Sequence, residues 1–226
     1  QSLSTSLVPA ISEAHSKKNL ALIEFRLQQA LKFVFLTGGL AVVLLYVLAE
    51  PLMIVMYGSE NGAGFIKMMA PFFLFYYFQG PLQATLQAMD LAKTAMINSF
   101  IGSFVKLAVI FSLASQPAFG INGAALGIVA GTVLVTLLHF ASVLKKISFS
   151  FDCLKALAAM GISALPGLFL LQHLWMDGKP AETLFIGAGA ISFTYLLLLL
   201  SFGLIRKGDL ERIPKIGRFL ARFAFR

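Results

Sequence analysis

Residues 119–146 read FGINGAALGIVAGTVLVTLLHFASVLKK, with no Asp, Glu, Lys or Arg from Phe119 to Leu144 and then two lysines together. A helix of about 20 apolar residues crosses the roughly 30 Å hydrocarbon core of a bilayer, and a helix is required because lipid offers backbone groups no hydrogen-bond partner. The lysine pair marks a cytoplasmic edge. The same pattern recurs on both sides of this stretch, with spans expected near 27–49, 63–88, 94–114, 119–144, 154–175 and 183–205. Composition agrees: 58% of residues are hydrophobic, 12% are charged and the mean hydropathy is +0.86, whereas soluble domains carry about twice that charge. The expected fold class is an all-α polytopic membrane protein with six transmembrane helices.

A net charge of +8 raises the question of nucleic acid, and the placement of the cations answers against it. Lys17, Lys18, Arg26 and Lys32 precede the first span, Lys93 lies between the second and third, and Lys145, Lys146 and Lys155 surround the fourth connection. Arg206, Lys207, Arg212, Lys215, Arg218, Arg222 and Arg226 follow the sixth. The opposite connections hold Glu50 and Glu60, then no charge, then Asp177, Lys179 and Glu182. Fifteen of the 18 cations therefore fall on one face, which the positive-inside rule assigns to the cytoplasm together with both termini.

The chain opens on Gln1, and residues 2–14 read as the tail of an apolar helix without the basic start of a signal peptide. An upstream membrane half is expected. Residues 1–18 are read as the end of a preceding helix and a cytoplasmic connection, with Asn19 capping the approach to the first span. Residues 19–207 are the six-helix region. In 208–226, Leu210, Ile213, Ile216, Leu220 and Phe223 recur near helical spacing, and Arg218, Arg222 and Arg226 stand four apart. Such a segment lies along an anionic leaflet, cations toward the headgroups, although Gly208, Pro214 and Gly217 weaken the helix and leave a disordered basic tail as the alternative. Cys153 is the single cysteine and carries no redox or metal signal.

Four runs carry a family resemblance: 6–14 (SLVPAISEA), 50–60 (EPLMIVMYGSE), 81–88 (PLQATLQA) and 119–127 (FGINGAALG). They resemble the polysaccharide-exporter and lipid-flippase branch of the multidrug/oligosaccharidyl-lipid/polysaccharide superfamily, most closely its stage V sporulation protein B group. Members have roughly fourteen spans in two lobes around a central cavity. The resemblance implies that this chain is most of a C-terminal lobe, preceded by the end of the eighth helix, and the charge alternation agrees with an even-numbered helix ending in the cytoplasm. It further implies a bacterial cytoplasmic membrane, a lipid-linked sugar as substrate and a missing N-terminal lobe as partner.

Lys106 is the most informative residue, lying about 18 Å deep when counted from residue 94 at 1.5 Å per residue. A central charge usually faces a cavity or a partner, and Glu50, Glu60, Asp90, Asp152, Asp177 and Glu182 all stand at span ends. Three readings compete: a cation for the anionic head of the lipid-linked substrate, a partner for an acid in the missing lobe, or a deprotonated or snorkelling lysine. The short connection 89–93 makes spans two and three antiparallel neighbours, which sets Lys106 level with Tyr76 and Tyr77. Gln79, Gln83 and Gln87 repeat every four residues, and Asn98 is expected level with the last two. This polar row fits either a sugar-contacting wall or interhelical hydrogen bonds. Pro71 and Pro81 interrupt the same span, as hinges or as ordinary membrane prolines.

Gly123, Gly127 and Gly131 form a double GxxxG, read as a close helix-packing face. Lys67 is read as snorkelling to the headgroups, and His15, His139 and His173 form no recognisable catalytic set. There is no phosphate-binding GxxxxGK[ST] loop, HExxH, GxSxG or paired metal spacing, so catalytic residues, metals and cofactors are expected to be none. The leading function is one lobe of a flippase working by alternating access. A cation-coupled drug antiporter of the same superfamily, and a non-transporting scaffold for envelope synthesis, are the competing readings.

Overall fold

The computed structural model describes residues 2–147, 153–176 and 178–204, which form eight helices and no strand. They are α1 (Ser2–Ser16), α2 (Leu20–Val47), α3 (Ala49–Tyr57), α4 (Ala63–Ala88), α5 (Ala92–Ala114), α6 (Gly120–Leu144), α7 (Cys153–Met176) and α8 (Pro180–Ser201). Helices α2, α5, α6 and α8, and Lys155–His173 within α7, are each long and apolar enough to cross a membrane. Helix α4 has the length, 26 residues or about 39 Å, but carries Lys67, three glutamines and two prolines. The six expected spans are thus five strongly apolar helices and one mixed helix of spanning length, in an all-α polytopic membrane fold. On α5, Met96, Phe100, Phe104, Leu107 and Phe111 are 63–81% exposed. A stripe of that kind along one helix is a face for lipid or another membrane segment.

Helix boundaries follow from local chemistry. Asn19 Oδ1 accepts the Leu22 N–H at 3.0 Å, the cap that starts α2. Pro51 has no N–H to give to Val47 O, and the helix breaks at Leu48 before resuming as α3. Helix α3 then runs to Tyr57, and Gly58, at φ 68°, closes it in the left-handed region. Much of the 50–60 stretch expected as a connection is therefore helical.

The chain divides into two compact units, residues 1–38 with 69–151 and residues 39–68 with 152–226, so that it passes between them inside α2 and inside α4. In the first unit a hydrophobic core gathers Leu7 and Ile11 of α1, Ile23 and Leu27 of α2, Leu82 and Leu86 of α4, Ala95 of α5, and Val143 of α6 with Ile147 just after it. This core lies at the end that carries the turns at 17–19 and 89–91. Both turns close alike: Asn19 N–H reaches Ala14 O at 2.9 Å and Lys18 N–H reaches His15 O, while Leu91 N–H reaches Leu86 O at 2.8 Å and Asp90 N–H reaches Gln87 O. Lys18 (φ 53°) and Asp90 (φ 60°) occupy the left-handed position that such closures require. His15 Nε2 stands 3.6 Å from Asp90 Oδ2, joining the two turns.

In the second unit, α7 and α8 pack closely, and α3 packs on α8. Small residues again allow the approach: a Cβ on Gly39 would stand 2.8 Å from Tyr195 Oη, and one on Gly187 would meet Leu48 at 2.9 Å. Lys67 Nζ donates to Glu50 Oε1 at 2.6 Å. Lys67 was expected to reach for headgroups; it has a carboxylate partner because the break at Leu48 and the turn before α4 return the chain to Glu50. The basic tail at 208–226 lies outside the described residues.

Candidate functional site

Helices α5 and α6 meet along a seam of glycines. A Cβ on Gly123 would come 2.6 Å from Leu113 C, one on Gly127 would overlap Ile110, and one on Gly131 would come 2.5 Å from Lys106 Cβ and 2.9 Å from Gly102 O. On the other side Val135 packs over Gly102 of α5. Each four-residue step along α6 is matched by a similar step back along α5, the register of an antiparallel pair in close contact. The double GxxxG expected as a packing face is this seam, and it holds the root of the Lys106 side chain against α6.

From that root Lys106 lines a groove of about 350 Å³ in the first unit, walled by Phe72, Phe73 and Tyr76 of α4 and Val129 and Thr132 of α6. Lys106 is half-buried and makes no hydrogen bond or ion pair with any described residue. Fifteenth of the 23 residues of α5, it lies about 21 Å along the helix. The short connection between α4 and α5 brings Lys106 and Tyr76 to the same groove. An ammonium group among aromatic and apolar walls, with no counter-ion, offers an entering anion a strong electrostatic attraction because the surroundings screen it weakly.

The polar residues near this groove divide. Gln79 Nε2 donates to Thr132 O at 3.0 Å, so it braces α4 on α6. Gln83 and Gln87 are exposed. A strict four-residue repeat turns about 40° per step around a helix of 3.6 residues per turn, which carries the row from the α6 contact out to the surface. Asn98 is buried and its Nδ2 donates to Ser142 Oγ at 3.0 Å. Thr136 Oγ1 donates toward Phe75 O at 2.9 Å and Thr132 O at 2.8 Å. Gln79 and Asn98 thus make interhelical hydrogen bonds, whereas Tyr76 and Lys106 face the groove.

Pro71 and Pro81 both lie within α4. They withhold the N–H groups that Lys67 O and Tyr77 O would otherwise receive. Pro71 is exposed and adjoins the Phe72–Phe73 wall, while Pro81 is buried and its carbonyl accepts Thr85 Oγ1 at 2.8 Å.

The sequence reading passed over Thr132, Thr136 and Ser142 and gave His139 no role. Their spacing of four, three and three residues places them on one face of α6, a signal hidden by the apolar run around them. That face receives α4 at Phe75 and Gln79 and α5 at Asn98.

Comparison with known proteins gives a family. The MatE family model matches residues 1–113. Stage V sporulation protein B of Bacillus subtilis (strain 168) is 50% identical over 224 residues, covering 98% of this chain and 43% of that protein. Sporulation protein YkvU of the same organism is 31% identical over 150 residues, covering 66% of this chain and 34% of that protein. The chain thus spans less than half the length of the curated relatives it matches. No solved structure matches it. With half its length matched by the family model and nearly all of it aligned to a relative at 50% identity, this multi-pass membrane chain belongs to the MatE family.

Proposed function

We propose that the chain forms the C-terminal lobe of a flippase that moves a lipid-linked oligosaccharide, such as a peptidoglycan precursor, across a bacterial cytoplasmic membrane during sporulation. The observation that carries this reading is the unpaired Lys106 ammonium in a groove walled by Phe72, Phe73 and Tyr76. An anionic lipid head gains a charge-assisted contact there, and the apolar walls accommodate its chain. The names of the two sporulation relatives support the setting. A second lobe closes the cavity, and the lobes exchange access to the two leaflets. Pro71, beside the groove wall, gives α4 a place to bend, and Gln83 and Gln87 offer exposed amides to sugar hydroxyls. Both ends of the chain face the cytoplasm, and the basic segment at 208–226 rests on anionic lipid.

The test is leaflet transfer of a lipid-linked sugar by the full-length protein in proteoliposomes. Lys106→Ala is expected to slow transfer about tenfold to a hundredfold, the loss of one charge-assisted contact of about 1.5–3 kcal/mol. Lys106→Arg keeps most of it, and Lys106→Glu abolishes it. Equal rates for all three at equal reconstitution would remove the charge from the mechanism.

A further inference from the structure

His139 is fully buried in α6, and its Nδ1 lies 2.9 Å from Val135 O. A carbonyl only accepts, so Nδ1 carries the hydrogen and Nε2 presents a lone pair. Nε2 is the one fully buried side-chain nitrogen or oxygen among the described residues that has no hydrogen-bond partner. Such an atom in a packed interior is costly and calls for an explanation.

The glycine seam shows what faces it. Gly127 meets Ile110, Gly131 meets Lys106, and Val135 lies over Gly102; one more step of four puts His139 level with Asn98 of α5. The orientation of the Asn98 amide follows from its neighbour. Ser142 spends its hydroxyl hydrogen on Leu138 O at 2.8 Å, so it can only accept from Asn98 Nδ2. Asn98 Oδ1 is thereby left as an acceptor that receives nothing from the described residues. A base without a donor and an acceptor without a donor thus stand at one level along the α5–α6 pair.

We propose that His139 is a proton-binding site inside the membrane region: Nε2 takes up one proton from water, and the imidazolium so formed turns that N–H toward Asn98 Oδ1. The surrounding charge makes this a transiently held proton. Helices α4, α5 and α6 carry no carboxylate. Their charged groups are Lys67, Lys93 and Lys106, with Lys145 and Lys146 after α6, and Tyr76 and Tyr77 are the other titratable groups of α4. From α1 and the first-unit part of α2, which share the core at this end, come Glu13 bonded to Lys17, His15 beside Asp90, Lys18, Glu24, Arg26 and Lys32. The α4–α6 helices thus present only an amide dipole as countercharge to the buried imidazolium. This site stands independently of the substrate assignment.

The test is the ¹⁵N spectrum of histidine side chains in the full-length protein in lipid bilayers, with the His139 signal identified by its loss in His139→Gln. The expected result is the neutral Nδ1–H form at alkaline pH converting to imidazolium, with a new Nε2–H signal, as the sample is acidified. Asn98→Asp is expected to move the midpoint up by at least about one pH unit, a tenfold gain in proton affinity. A His139 signal that stays neutral throughout would overturn the proposal and leave a structural core histidine. A midpoint unmoved in Asn98→Asp would overturn the assignment of Asn98 as the facing acceptor.

Discussion

Gly131 and Lys106 are packed so closely that a methyl group on the glycine would stand 2.5 Å from Lys106 Cβ. Membrane helices gain little from burying apolar surface against one another, so such contact area is a principal source of their association. Gly131→Ala must therefore push α5 and α6 apart, at a cost of about 1–3 kcal/mol as in other overpacked sites. Thermal unfolding of the detergent-solubilised protein should show the loss. Gly161→Ala in α7 is the comparison, because an added Cβ there meets nothing within 4 Å; it is expected to leave stability unchanged or raise it by up to about 1 kcal/mol. Equal melting temperatures for the two variants would contradict the close seam.

The turn at Lys18 predicts the opposite sign. A non-glycine residue in the left-handed region carries steric strain of about 1–2 kcal/mol, and Lys18 sits there at φ 53° only because Asn19 and Lys18 must return their N–H groups to Ala14 O and His15 O. Lys18→Gly is expected to stabilise the protein by up to about 1 kcal/mol, partly offset by the greater freedom of glycine in the unfolded chain. Chemical denaturation would read it; a destabilised variant would mean that the lysine side chain makes a contact worth more than the strain.

What was legible in the sequence was whatever depends on periodicity along one helix. The run at 119–144, the lysines that end it, and the four-residue spacing of Gly123, Gly127 and Gly131 are of that kind, and the Asn19 cap needs only its own neighbours. Contacts made between helices were harder. The glutamine row looked like one face because its spacing is regular, yet the 40° drift separates Gln79 from Gln83 and Gln87. Helix α3 was obscured because Glu50 and Pro51 read as loop residues, when proline is compatible with the first turn of a new helix. The partner of Lys67 lies seventeen residues back, a distance set by that same break. His139 was visible as a residue, but its unused nitrogen exists only once Val135 O has been assigned to the other one.

The α1 end supplies a pH prediction. Lys17 bonds Glu13 at 2.6 Å, and that hydrogen bond, together with the lysine charge, holds the Glu13 carboxyl below its ordinary value of 4.5. Because the folded value is the lower one, the pair's contribution is fully present above the unfolded value and is lost as pH falls through the folded value. Lys17→Gln should raise the Glu13 midpoint toward 4.5 in a carboxyl-carbon NMR titration. An unchanged midpoint would show that the pair does not persist in solution.

Glu50 and Lys67 make a pair of another kind, joining α3 to α4 across a sharp turn at 2.6 Å while each side chain keeps over a third of its surface exposed. Exposure limits the net gain to about 0.2–1 kcal/mol. Reversal gives the clearer signal: Glu50→Lys sets two cations side by side, and Lys67→Glu sets two carboxylates. Each single reversal should destabilise by about 1 kcal/mol or more, and the double reversal should recover most of that loss, because the backbone path that brings the two positions together is unchanged. If the two losses simply add, the positions are not adjacent, and the return of the chain from the Leu48 break to α4 would have to follow another course.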